Sequence, residues 1–321
     1  MKSSSMKEIG GYFSLELPER KNHFHMQAIQ LNSARNAFEY ILKHTKVNTV
    51  YIPYYNCDVM LEPLLKTFTS YKYYAINDSL EIEKLISLKD NELILYINYF
   101  GIKNQYVEKL IKRYQEKLII DNSQAFFAKF EKHIYAIYSP RKFFGVSDGG
   151  YLVGNIEENS LEQDFSAKRM NHLIGRLDSD AEKYYDTYKK NDNSLKMQDI
   201  KKMSTTTEYI LSTIDYKNIA KKRKENFMYL HDNLKMMNSL RIDEDSLSIP
   251  MIYPFLFKEE LKKILIENKI YVATYWPNIL EIQDIPKNEQ NLTKNLIPLP
   301  LDQRYNLDDM KRIVQIIKEN F

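Results

Sequence analysis

Cysteine is almost absent: Cys57 stands alone in 321 residues, which excludes an internal disulfide and any cysteine-based zinc site. Glycine is scarce as well, at eight residues, so each one marks a turn or a close backbone approach more pointedly than usual. Neither charge sign dominates. With 46 basic and 43 acidic residues, net +3, nothing in the balance points to nucleic acid. The run Lys221-Lys222-Arg223-Lys224 is followed by Glu225 and reads as a solvated helix face. No stretch approaches the ~18 consecutive apolar residues of a membrane span, and the opening MKSSSMKEIGGYF has no apolar signal core. The expectation is a cytoplasmic protein with no membrane partner.

What the chain does have is an ordinary globular balance of 44% hydrophobic and 28% charged residues, enough for a sizeable core. Tyrosine is abundant at 25 residues, a bias that base composition accounts for better than an aromatic binding surface. Residues 1–30 read as an irregular lead-in. His23 and His25 stand two apart, but no third ligand follows at a recognisable spacing, so no metal is expected. From Asn32-Ser33, a helix over 34–44 is followed by alternating strands and helices: strand 49–53, helix 58–68, strand 71–76, helix 79–88, strand 92–99, helix 104–115, and strands ending before Asp121 and Ser139. Continuous apolar strands alternating with helices predict an α/β fold, a mostly parallel sheet covered on both faces. Residues 31–204 form this large domain, including a polar excursion at about 155–203. Residues 205–321 form a smaller α+β domain with a long helical region over 205–238, strands at 249–257, 269–274 and 295–300, and helices at 259–268 and 308–320.

The stretch Lys117 to Gly150 holds the chemistry. One apolar run delivers Asp121, Asn122, Ser123 and Gln124; the next delivers Ser139, Arg141 and Lys142, then the turn Asp148-Gly149-Gly150. Neighbouring parallel strands present such groups together at their carboxyl ends, where ligands bind. Upstream, Ser33 opens a helix: a serine there is most often only a cap, and the unpaired first N–H groups could also hold a phosphate. Singly, each has a plainer explanation: a lysine at a sheet edge is most often an ion-pair member, and a strand-end aspartate most often a cap.

In combination and order, these residues resemble fold-type-I pyridoxal-phosphate enzymes, and among them the DegT/DnrJ/EryC1/StrS sugar aminotransferases. The resemblance covers the large domain and, more weakly, the small one. Ser33-Ala34-Arg35-Asn36-Ala37-Phe38 is similar to the family's S-G-T-A-A-L phosphate-binding helix start, with Ala34 in place of its glycine. Ile52-Pro53-Tyr54-Tyr55-Asn56-Cys57 resembles the segment that brings an aromatic onto the pyridine ring; Cys57 aligns most directly, with Tyr55 or Tyr54 reachable by a small shift. Tyr99-Phe100-Gly101 resembles L-Y-G. Ile120 to Ala125 resembles E-D-A-A-Q-A, which implies that Asp121 pairs with the pyridine nitrogen and Gln124 lies near the ring hydroxyl. Lys142 to Gly150 has the spacing of K-x-x-x-x-G-E-G-G, which implies that Lys142 is the Schiff-base lysine and Ser139 a phosphate ligand. Arg141 fits either a phosphate or substrate anion or a structural ion pair. Where the family has N-x-R-M-S, this chain has Ile200 and Lys202, which alters a contact made from the partner subunit.

The resemblance further implies pyridoxal 5'-phosphate as cofactor and a homodimer with the site at its interface. It implies transfer of an amino group from an amino acid, glutamate in the first instance, to a keto-sugar nucleotide for surface polysaccharide. Tyr99, Lys202, Tyr275, Trp276 and Arg304 fall where such a substrate lies, although Trp276, the only tryptophan, suits a core or interface equally. Two alternatives stay open: a lyase or sugar dehydratase on the same scaffold, against which Lys142 counts, and a binding or regulatory module that keeps the fold without turnover.

Overall fold

The computed structural model describes residues 9–130 and 132–321; the first eight positions of the expected lead-in lie outside them. In chain order the elements are β1 (Ile29–Leu31), α1 (Ala34–Thr45), β2 (Thr49–Pro53), α2 (Leu61–Lys66), β3 (Ser70–Tyr74), β4 (Glu92–Ile97), α3 (Asn104–Tyr114), β5 (Leu118–Asp121), β6 (Tyr135–Tyr138) and β7 (Gly150–Val153). After these come α4 (Asn171–Asp178), α5 (Tyr185–Ser194), α6 (Thr205–Ser212), α7 (Tyr216–Leu234), β8 (Tyr253–Leu256), α8 (Glu260–Glu267), α9 (Lys287–Asn295), β9 (Leu296–Leu299) and α10 (Leu307–Asn320).

Strands β1 to β7 form one sheet in the order β1-β7-β6-β5-β4-β2-β3. Only β7 runs against its neighbours, pairing antiparallel with both β1 and β6. The α/β expectation is met, and the reason is visible in burial. Every residue of β4, β5 and β7 is buried, as strands covered on both faces must be. Because β2, β4, β5 and β6 are parallel, their carboxyl ends share one edge. Strands β8 and β9 form a separate antiparallel pair.

Two expected elements do not form. Residues 79–88 are not helical. The Asn77 side chain accepts from the N–H groups of Ser79 and Glu81, Leu80 takes a left-handed φ of 60°, and Ile76 bridges Ile82. Tyrosine hydroxyls then take up the loop's backbone: Tyr106 and Tyr114 accept from the N–H of Ile82 and Ile86, and Tyr96 donates to the Leu80 carbonyl. With those polar groups satisfied, the apolar side chains can be buried without a helix. The strand expected over 269–274 is also absent. Lys269 has a φ of 58°, and Lys269 and Tyr271 turn outward to Glu182, so the segment finds no ladder partner.

Candidate active site

The common carboxyl edge of β2, β4, β5 and β6 collects the residues singled out above. Register places Asp121 between Ile97 of β4 and Ile137 of β6. Asp121 is buried, and its Oδ1 accepts from the Ser123 N–H at 2.8 Å. Gln124 turns its Oε1 to the Phe100 N–H (3.1 Å), leaving its Nε2, fully buried, without a hydrogen-bond partner. After β6, Ser139 leads into a single 3-10 turn, Pro140–Lys142. Lys142 is exposed and, among the described residues, enters no ion pair or hydrogen bond. Its charge reaches the Cys57 thiol: burial pushes that thiol's pKa up, and the lysine partly offsets the rise.

The helix start behind this edge is tightly built. Ser33 adopts extended backbone angles and caps α1, accepting from the Asn36 N–H at 3.1 Å. Ser33 bridges Gly149, and the Gly149 N–H donates to the Asn32 carbonyl at 2.7 Å. A Cβ on Gly150 would lie 2.3 Å from the Ser33 carbonyl, so only glycine permits this approach. Since Tyr138 pairs with Tyr151, Ser139 comes opposite Gly150 and hence beside the start of α1. Ser33, Ser139 and the free N–H groups of a helix N-terminus thus converge, an arrangement suited to an anion.

Other expected site residues lie elsewhere or are engaged. Arg35 pairs with Glu62 (3.0 Å) and donates to the Leu195 carbonyl, which turns it away from the Ser33 cradle. Ala34 is simply the first residue of α1. Tyr54 stacks on Tyr73 at 4.7 Å. Tyr55 is fully buried with its ring edge-on to Trp276 at 4.7 Å, and its hydroxyl lacks a partner. Tyr99 is enclosed in the core and donates to the Tyr55 carbonyl. Lys202 pairs with Glu158, and Arg304 chelates its own neighbour Asp302. Tyr99, Lys202 and Arg304 thus spend their polar groups on protein partners, while Trp276 and Tyr275 pack with Tyr55, Tyr99 and Phe100. Burial pushes the Tyr275 phenol up, with Tyr188 and Cys57 close enough to add to the shift.

Sequence reasoning missed the groups supplied by the polar excursion. Arg141 forms its ion pair with Asp192 of α5 at 2.9 Å, and Asn191 donates to the Ser147 carbonyl at 3.1 Å. The buried His172 of α4 is held below its ordinary pKa by burial first and by Arg141 second. The excursion thus packs on the Lys142 turn, with Tyr188 between Arg141 and Tyr275. Nothing in a stretch of mixed Lys, Asp and Tyr announces this. No group of three or more His, Cys, Asp or Glu among the described residues could hold a metal ion. The two histidines of the lead-in both pack on Tyr151: His25 is buried against Tyr138 and bonds the Phe126 carbonyl, while His23 meets the Tyr151 hydroxyl.

No family model and no curated protein matches the chain by sequence; solved structures do match. A DegT DnrJ EryC1 StrS aminotransferase from Brucella abortus aligns over 91% of this chain and 85% of its own, at 12% identity and a TM-score of 0.60. The Streptococcus pneumoniae protein Spr1654, solved in apo, PLP and PMP forms, aligns over 91% and 85% at 12% identity with a TM-score of 0.66 in its apo form. The GDP-4-keto-6-deoxymannose-3-dehydratase ColD with bound GDP-perosamine aligns over 90% and 88% at 14% identity and a TM-score of 0.63. The likeness establishes the fold: a seven-stranded, mostly parallel sheet in the fold-type-I arrangement.

Proposed function

We propose that this chain is a pyridoxal-phosphate-dependent aminotransferase that moves an amino group from an amino acid, glutamate in the first instance, to a keto-sugar nucleotide. The observation that carries the reading is the placement of an unpaired lysine, Lys142, one strand away from a buried carboxylate, Asp121, with the Ser33–Gly150 cradle beside them. The residues fit the cofactor on independent grounds. Gln124 Nε2 and the Tyr55 hydroxyl are buried polar atoms without partners among the described residues, and such atoms are costly unless a ligand or water meets them. The fold neighbours include proteins solved with PLP, with PMP and with a sugar nucleotide.

Bound here, the cofactor would supply an electron sink for a substrate carbanion. Asp121 would hold a proton on the pyridine nitrogen, since a buried anion favours the protonated base. Ser139, Ser33 and the first N–H groups of α1 would bind the phosphate. Lys142 Nζ would hold the cofactor and, once released by an incoming amine, carry a proton to and from the donor's α-carbon. The dehydratase reading draws on the likeness to ColD, but a free lysine amine at 142 serves transfer better.

The test is spectroscopic. Protein mixed with PLP should turn yellow, and borohydride should fix the cofactor on Lys142, as read by peptide mass; Lys142→Ala should abolish both. Protein that stays colourless and unlabelled overturns the enzyme reading and leaves the binding-module alternative. Conversion to the pyridoxamine form on adding glutamate separates transfer from elimination.

A further inference from the structure

We infer that Arg223 and Gln303, from the C-terminal part of the chain, form a clamp that positions the turn carrying Lys142; the inference rests on the reading of Lys142 given above. Among the described residues the Lys142 side chain makes no hydrogen bond, so its placement depends on the backbone around it. That backbone is held on both sides of Phe143. The N–H groups of Phe143 and Phe144 both donate to the Pro140 carbonyl at 2.9 Å. The Phe143 carbonyl accepts from Gln303 Nε2 at 2.7 Å and faces Arg223 Nη2 at 3.4 Å. The Arg223 guanidinium also lies over the Phe143 ring, 4.6 Å from its centroid.

Arg223 is 1% exposed and, among the described residues, forms no ion pair. Its donors go instead to the Pro250 carbonyl (3.3 Å), the Met251 carbonyl (3.1 Å) and Gln303 Oε1 (2.9 Å). Burying a guanidinium is expensive, and an apolar side chain of similar volume would usually serve stability at least as well. What an apolar residue could not do is grip the Pro250, Met251 and Phe143 carbonyls from one plane and hold Gln303 onto the Phe143 carbonyl as well. The Pro250-Met251 segment is itself tied to the turn after β4, since the Met251 N–H donates to the Phe100 carbonyl at 2.9 Å. Phe100 in turn holds Gln124. One buried arginine thereby links the lysine turn to the segment that orients the glutamine of the Asp121 strand, and sets their relative position.

Arg223 and Gln303 touch neither cofactor nor substrate in this arrangement; they are positioning residues. Misplacement of a reacting group by an ångström is enough to slow a reaction strongly. Gln303→Ala should therefore slow covalent capture of PLP at Lys142 by about tenfold at saturating PLP, with Arg223→Met slower still and Arg223→Lys intermediate. Noncovalent PLP affinity, measured in a Lys142→Ala background, should not change on adding Gln303→Ala, because the clamp acts on the lysine and not on the pocket. Exchange of the amides in the peptide 139–146 should quicken in Gln303→Ala. Capture at the wild-type rate, or affinity falling in step with capture, overturns the clamp. If wild-type protein captures no PLP, the cofactor reading fails separately, and the amide exchange then decides: unchanged exchange overturns the clamp, and faster exchange upholds it. Should Arg223→Met fail to fold, Gln303→Ala and Arg223→Lys carry the test.

Discussion

Lys142 and Asp121 could be singled out by eye because each ends an apolar run, and the backbone hydrogen bonding of a parallel sheet then brings such ends together. His25 could not, since its role depends on what covers it. The ring is buried against Tyr138 and Phe126, and burial, only partly opposed by the hydrogen bond to the Phe126 carbonyl, pulls its pKa down to about 4. The folded protein keeps this ring neutral where the unfolded chain would protonate it. Its contribution is therefore complete above the unfolded pKa near 6.5 and is lost as pH falls from there toward about 4. Between pH 7 and 5 the loss amounts to about 2 kcal/mol, from 1.36 kcal/mol per pKa unit. Urea unfolding at both pH values should show that decline shrink in His25→Gln, and an unchanged pH dependence would remove His25 from the account.

At the scale of elements, the turn Asp148-Gly149-Gly150 does more than reverse the chain. Asp148 is fully buried and accepts from the Ser204 N–H (2.8 Å), the Ser204 hydroxyl (2.7 Å) and the Thr207 hydroxyl. It thus anchors the N-terminus of α6, where a carboxylate is favoured by the helix dipole. Asp148→Ala would strand the Ser204 N–H and the Thr207 hydroxyl, while the Ser204 hydroxyl keeps Ser166, and should cost about 3 kcal/mol, given 1–3 kcal/mol for each buried donor left unmade and partial relaxation around the site. A urea midpoint shifted by less than a third of that amount would show that α6 is held elsewhere. The excursion teaches the complementary lesson. Helices α4 and α5 carry few apolar residues, and their place is set by polar pairs such as Arg141–Asp192 and Asn191 to Ser147. Hydrophobic periodicity cannot register contacts of that kind.

For the molecule as a whole, the proposed homodimer gives a use to apolar surface that the single chain leaves bare. Ile9, Tyr12 and Phe13 are each more than 90% exposed, and Leu177 of α4 is 87% exposed beside the partly open Ile174. Side chains of this size in water, two of them within the excursion that packs on the site, suit a subunit interface. Sedimentation at micromolar concentration should give a dimer, and Leu177→Asp should shift it toward monomer and weaken PLP capture together. A wild-type monomer that still captures PLP would separate the site from dimerisation. PLP at 100 times its dissociation constant should also stabilise the protein by about 2.7 kcal/mol, which thermal unfolding with and without the cofactor can check.

The sequence by itself determined the alternation of strand and helix, and with it the sheet, because continuous apolar runs can be buried in few other ways. It also determined which polar groups end β5 and β6 and that Gly149-Gly150 must sit where side chains do not fit. It misjudged residues 79–88 and 269–274, where tyrosine hydroxyls and an ion pair from distant parts of the chain replaced the hydrogen bonds of regular structure. Only the tertiary structure decided that Arg35, Tyr99, Lys202 and Arg304 are engaged by protein partners, that the excursion brings Asp192 and Tyr188 to the Lys142 turn, and that Arg223 grips that turn from the other end of the chain. Most of these depend on partners 27 to 80 residues away, and the rest on a side chain's direction; neither is written in local spacing. The Lys142 turn was legible as a place; what holds it there was not.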